Sequence, residues 1–225
     1  MVLVNMELFT NTLFINLASR KDRLEHVMAE FSKFGLTPER VDAVKMASGA
    51  IGCTLSHIKC LEIAKSRNYE HVFICEDDIT FLKPELLREN LTKFHNNKTI
   101  QWDVLIISGN NAPPFYSIND YCVRILNCQA ATGYIVKQSM YDVMLNNFKT
   151  GLNGLIKDPA NKRQFAVDMY WKLLQPQYFW YMIIPLTTVQ YENYSDIEER
   201  DVNYVDLMLD LNKEWLAKRQ RLQFT

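Results

Sequence analysis

The sequence predicts an α/β fold with a mostly parallel central sheet flanked by helices, and three observations carry that expectation. Short apolar runs alternate with stretches of helical period through about the first 150 residues, the order that places helices over a sheet. The apolar content is 48%, with only 7 glycines and 7 prolines, as in an ordinary soluble globular protein. A chain of 225 residues buries roughly 70–75% of the surface its unfolded form exposes, so it holds a core without disulfides or structural metal. A single domain over residues 1–225 is therefore expected.

Each element has a local reason. TLFINL from Thr12 is a short apolar run that suits a buried strand. Leu24, Val27, Met28, Phe31 and Phe34 then follow i, i+3, i+4, i+7 spacing, with Gly35 as a stop. ERVDAV from Glu39 reads as a second strand, and IGCTLSHIKCLEIAKSRN as a helix whose Leu55, Ile58, Leu61 and Ile63 supply apolar surface. HVFICEDD is a strand ending in three acids. KPELLRENLTKFH opens near Pro84, which is tolerated in a first helical turn because its missing N–H would be unpaired there. WDVLIISGN is a strand, NAPPFYSIND a loop by composition, YCVRILNCQA and TGYIV strands, and SMYDVMLNNF a helix. Later, AVDMYWKLL predicts a short helix, QYFWYMIIPLTTVQ strands around Pro185, and residues 202–222 a C-terminal amphipathic helix that can dock on the core or pair with a second subunit as a homodimer.

The 25 basic and 26 acidic side chains nearly cancel, which argues against a sequence-independent nucleic-acid binder while leaving room for an anionic ligand held by local charges. Five cysteines without C-x-x-C spacing read as reduced, buried thiols. The first seventeen residues lack the layout of a secretory leader, and the longest later apolar run, from Phe179, is too short for a membrane span. Cytoplasmic residence is the expectation.

Glu76-Asp77-Asp78 is the most informative local feature. Three carboxylates at the C-terminal edge of a parallel sheet lie where open α/β folds bind ligands, and they repel one another unless a cation is present. Oxygen ligands suit Mg²⁺ or Mn²⁺. In an extended chain Glu76 and Asp78 face one side and Asp77 the other, making the first pair the metal candidates; a solvated acidic turn is the plain alternative. Arg20, Lys21 and Arg23 follow the first strand on the edge from which they would neutralise a bound pyrophosphate, or else form an exposed first helical turn. Cys53, His57 and Cys60 share a helix face and, with Cys75, imitate a zinc site, but paired cysteine arms are missing and core spacing is the better reading. His57 then reads as a satisfied histidine near the ligand or in the core, and Trp171 and Trp180 as core aromatics.

Taken in order, INLASRKDR, IGCTLSH, CEDDIT, ATGYIV, AVDMYW and VQYENYSDIE resemble the family 25 glycosyltransferases, which include lipooligosaccharide galactosyltransferases and the procollagen galactosyltransferase domain. The resemblance spans about residue 12 to about residue 200. It implies a GT-A fold and inverting transfer from a nucleotide sugar, usually UDP-galactose, with a divalent metal, commonly Mn²⁺, to a glycan or hydroxylysine-containing protein acceptor. By that resemblance Glu76, Asp77 and Asp78 match the metal and nucleotide motif, and Asn16, Arg20 and Arg23 the first-strand segment near the nucleotide. Gly52, Cys53, Ser56 and His57 match the GC-x-x-SH helix, Gly133 and Tyr134 a later strand, and Ser195 and Asp196 an SD pair. Asp168 matches an acidic position before a helix and is the leading candidate for the base, with metal ligation, acceptor binding or a helix cap as its other roles. Ala50 departs from the glutamate the family often carries there.

Two other classes compete. A haloacid-dehalogenase-like phosphatase would need an aspartate nucleophile where Glu76 stands, and a fold retained as a non-catalytic binding or adhesion module would bind neither UDP nor Mn²⁺. One domain of a larger collagen-modifying enzyme is a third context, disfavoured against a bacterial or viral one.

Overall fold

A computed structural model describes residues 6–195 and 200–216. The chain opens with a single 3₁₀ turn, Glu7–Phe9, that plants Phe9 in the core. The alternation read from the sequence follows at once: β1 (Thr12–Asn16), α1 (Lys21–Ser32), β2 (Glu39–Asp42), α2 (Gly49–Ser66) and β3 (His71–Glu76). After β3 come a two-residue turn, a short β4 (Ile79–Phe81), α3 (Pro84–Asn96) and β5 (Val104–Asn111). The Pro-rich stretch expected to be loop contains β6 (Phe115–Ser117), because it folds back antiparallel on β7 (Cys122–Ile125). Then come β8 (Cys128–Lys137), α4 (Tyr141–Lys157), α5 (Lys162–Phe165), α6 (Val167–Tyr170), β9 (Trp180–Ile183), β10 (Thr188–Gln190), β11 (Asn193–Ser195), β12 (Arg200–Val202) and α7 (Val205–Leu209).

The central sheet has eight strands in the order β2-β1-β3-β8-β5-β9-β7-β6. β1 pairs in parallel with β2 and β3, and β5 with β9; β8 runs antiparallel to both β3 and β5, and β7 to both β9 and β6. Only β8 and β7 therefore oppose the common direction, and the sheet is mixed but mostly parallel, as the α/β expectation has it. Two antiparallel ribbons, β4–β10 and β11–β12, close the edge where the parallel strands end.

Both faces of the sheet are covered, which is why its inner strands read as continuous apolar runs rather than alternating ones. Leu13, Ile15, Ile74, Val104 and Tyr134 point to one side, against Ile58 and Leu61 of α2 and Met144 and Phe148 of α4. Phe14, Phe73, Leu105 and Ile135 point to the other, against Val27 and Phe31 of α1 and Leu91 and Phe94 of α3. All five cysteines are free thiols, four of them buried. No described helix is long and apolar enough to cross a membrane.

The long C-terminal helix expected over 202–222 is not what forms. Val202 pairs with Asn193 in a ribbon, and the helical turns of α7 stop at Leu209. Lys213 takes a left-handed backbone conformation (φ 44°), and its ammonium turns inward. It donates to the carbonyls of Leu207 (2.8 Å), Asp210 (2.7 Å) and Asn111 at the end of β5. Pinning this charge on backbone oxygens breaks the helix and holds the segment on the sheet. Residues 217–225 lie outside the described residues.

Candidate active site

Parallel register brings the C-terminal ends of β1, β2 and β3 to one edge, with Asn16 opposite Asp42 and Ile15 opposite Glu76. The acid triplet leaves the sheet there. Glu76 is the last residue of β3, and Asp77 and Asp78 form the turn into β4.

The three carboxylates do not share one environment. Asp77 and Asp78 meet the same guanidinium: one terminal nitrogen of Arg23 donates to Asp77 Oδ1 at 3.0 Å and to Asp78 Oδ2 at 2.9 Å. Asn16 donates to Asp77 Oδ2 (2.7 Å) and is itself oriented by Arg40, which donates to Asn16 Oδ1 (2.9 Å). Gln190 on β10 donates to Asp78 Oδ2 (2.9 Å). Glu76 turns the other way, toward α2, where its Oε1 lies 3.3 Å from His57 Nε2 and 3.6 Å from Cys53 Sγ. Extended-chain alternation pairs Glu76 with Asp78; by contacts the fold pairs Asp77 with Asp78, because the chain is already turning.

Electrostatics follow the burial. Asp78 is only 2% exposed, and burial, with the neighbouring Glu76 charge adding, raises its pKa to about 7 despite Arg23. Burial also raises Asp77, with Arg23 and Asn16 opposing. Burial pushes Glu76 up, but His57, Arg23 and Cys53 together outweigh it and hold Glu76 below the ordinary glutamate value. Asp78 Oδ1 is buried without a hydrogen-bond partner, an orphaned anionic oxygen of the kind a cation satisfies.

Two cavities adjoin here. The smaller, about 210 Å³, is bordered by the acid triplet, Arg20, Arg23, the 43–46 loop and the start of α2. The larger, about 660 Å³, runs from Glu76 past Asn110 and Gln129 to Asp168, with Lys162 and Arg163 at its side and Tyr204, Leu207 and Met208 as another wall. Cys53, Glu76, Gln190 and Ser195 border both.

The G-C-x-x-S-H helix now has a physical account. A Cβ on Gly52 would overlap the Val44 carbonyl oxygen. Ser56 accepts from the Val44 N–H (2.8 Å) and donates to the Gly52 carbonyl (2.7 Å). Together they seat the 43–46 loop against α2. Cys53 and His57, one turn apart, face Glu76. His57 is fully buried, its Nδ1 2.8 Å from the Tyr134 hydroxyl, so His57 and Tyr134 lie beneath the site as a support. Gly133 packs closely beneath the turn, where an added Cβ would meet the end of the Ile79 side chain at 2.7 Å.

Arg20 and Arg23 border the smaller cavity but are already engaged. Arg20 pairs with Asp22 (2.8 Å), and Arg23 with the two buried acids. Asp168 lies in the first turn of α6 and borders the larger cavity. Its Oδ2 accepts from the N–H of Ala130 (2.9 Å), which is held at φ 64°. Burial raises the Asp168 pKa. The helix-cap role is not the one observed, since Ala166 is the N-cap residue. Asp196 lies outside the described residues. Of the cysteines grouped with His57 by spacing, only Cys53 is at this site: Cys60 and Cys75 are buried in the apolar layers on opposite faces of the sheet. Gln190 and Arg40 are missed by sequence reasoning; Gln190 falls within the quoted VQYENYSDIE segment, whereas nothing local marks Arg40.

Residues 43–171, more than half of the chain, match the model of glycosyltransferase family 25 (LPS biosynthesis protein). A Haemophilus influenzae protein named "Putative glycosyltransferase" is 30% identical over 87 residues, covering 29% of this chain and 31% of that relative. The match thus spans about a third of the relative's length. Among solved structures, a glycosyltransferase involved in glycosylation of the major capsid of the virus PBCV-1 superposes with a TM-score of 0.52 at 10% identity, over 80% of this chain and 92% of that one. The protein A197 from the virus STIV gives a TM-score of 0.46 at 12% identity, over 86% and 93%.

Proposed function

The chain belongs to glycosyltransferase family 25, and from that premise we propose that it is a metal-dependent inverting transferase that moves galactose from UDP-galactose to a hydroxyl of a glycan or hydroxylysine-containing acceptor. The observation that carries this reading is Asp78, a buried carboxylate lining a cavity, with one oxygen left without a partner. A hard divalent ion, Mn²⁺ or Mg²⁺, suits the free Asp78 oxygen, with Glu76, which would turn toward it from His57 and Cys53, as the second ligand and Asp77 fixed by Asn16 and Arg23. Bound there, it would supply Lewis-acid stabilisation of the departing diphosphate.

The protein's own groups divide the remaining work. The smaller cavity takes the nucleotide, with Arg20, Ser56, Ser195 and the 43–46 loop around it, and Asp196 is carried as a nucleotide-binding residue by the family resemblance alone. The larger cavity takes the acceptor. Asp168 on its wall removes the proton of the acceptor hydroxyl as that oxygen attacks the anomeric carbon. The sugar C–O bond to the diphosphate breaks on the opposite face, and its electron pair leaves with UDP. Burial strengthens Asp168 as a base, and the Ala130 N–H holds its carboxyl in place.

The deciding experiment screens UDP-sugars for metal-dependent UDP release and transfer with wild type, Asp78→Asn and Asp168→Asn. Asp78→Asn is expected to remain folded and lose Mn²⁺-dependent transfer; full activity removes the metal role. Asp168→Asn is expected to bind Mn²⁺ and UDP yet lose turnover; loss of UDP binding instead reassigns Asp168 to ligand binding.

A further inference from the structure

We propose that Cys53, His57 and Glu76 form a second cation site, of three protein ligands and one open position, that takes a soft, zinc-class divalent ion. It shares Glu76 with the oxygen-only position proposed at Asp78, but its evidence does not rest on the transferase reading.

Two of the three ligand–ligand edges support it. Cys53 Sγ, His57 Nε2 and Glu76 Oε1 all lie within 4.8 Å of one another. Around a tetrahedral ion, with bonds of about 2.0–2.1 Å to nitrogen and oxygen and about 2.3 Å to sulfur, the nitrogen–oxygen edge is about 3.3 Å and the sulfur–oxygen edge about 3.5 Å. The observed separations are 3.3 Å and 3.6 Å. The first is longer than a usual N–H···O hydrogen bond and matches the edge of a coordination polyhedron.

The surroundings agree. Metal-bound histidines anchor their second ring nitrogen on a neighbouring polar group, and His57 Nδ1 meets the buried Tyr134 hydroxyl at 2.8 Å. With Nδ1 protonated and donating there, Nε2 presents its lone pair to the site. Thiol, imidazole and carboxylate together select zinc-class ions over Mn²⁺ or Mg²⁺. Binding releases the Cys53 thiol proton to solvent. The thiolate and carboxylate charges then balance a dication, leaving this buried position neutral. Cys53 and Glu76 border both cavities, so water or a substrate oxygen reaches the fourth vertex. Because Glu76 is shared with the proposed donor site, an ion here is expected to inhibit transfer.

The test uses Co²⁺ as a spectroscopic stand-in for Zn²⁺ on metal-free protein. Expected are a near-ultraviolet thiolate-to-cobalt absorption and four-coordinate visible bands that saturate at about one ion per chain, and that Zn²⁺ discharges. Cys53→Ser, a one-atom change checked for folding by circular dichroism, should lose the thiolate band and bind at least about tenfold more weakly. Asp78→Asn should keep the band, whatever it does to Mn²⁺-dependent transfer, so the two readings fail separately. No thiolate band in wild type, an unchanged band in Cys53→Ser, or loss of the band in Asp78→Asn each overturns the site.

Discussion

Replacing Arg23 by Met removes the one cation that two buried carboxylates share. The side chains of Arg23, Asp77 and Asp78 are 11%, 9% and 2% exposed, so solvent screens little of the interaction. Breaking a buried pair by deleting one partner costs about 3–5 kcal/mol, because the remaining charge is left uncompensated. Asp77 keeps its bond from Asn16 and Asp78 its bond from Gln190, which places the loss near the lower end, about 3 kcal/mol, or two powers of ten in the folding equilibrium. The sign with pH is fixed by linkage. An aspartate whose folded pKa lies above its unfolded value of about 3.9 binds more protons folded than unfolded, so stability falls as pH rises between the two values. Asp78 already stands at about 7 with Arg23 present, and without it both acids move higher. Urea denaturation without divalent ions should therefore show a deficit that is larger at about pH 8 than at about pH 5. A deficit below about 1 kcal/mol at the higher pH, or an equal deficit at both, would refute this charge assignment.

Two further outcomes follow from the same geometry. Gly52→Ala drives a methyl group into the Val44 carbonyl and should cost about 1–3 kcal/mol while weakening UDP binding through the 43–46 loop; unchanged melting temperature and calorimetric affinity would show that the loop is not seated by this contact. Mn²⁺ binding should tighten as pH rises from about 6 to about 8 and then level off, since a ligand with a pKa of about 7 must lose its proton first; a flat profile by calorimetry would exclude Asp78 as a ligand.

Much of this molecule is legible in its residues because the information is local. TLFIN and HVFIC are short apolar runs, and Val27 and Phe31 keep a helical period, so β1, β3 and α1 can be read directly. The acid triplet is visible as a strand end for the same reason. Long-range pairing is not local. The reversed direction of β8 depends on its neighbours β3 and β5, and β4 exists only because β10 pairs with it. The C-terminal segment has a plausible amphipathic pattern, yet the buried Lys213 ammonium turns inward onto the Asn111 carbonyl, which is remote in sequence.

By itself the sequence determined which residue types gather at the strand ends: carboxylates after β3, arginines after β1, and a helix carrying Gly52, Cys53, Ser56 and His57. Only the tertiary structure decided how they are shared out. Arg23, which by position could serve a diphosphate, spends its charge on Asp77 and Asp78, while Glu76 leaves that pair for His57 and Cys53. The physical reason is that burial makes every unpaired charge costly. Each carboxylate therefore takes the donors that packing brings within reach, including Asn16 and Gln190 from strands 61 and 112 residues away in sequence.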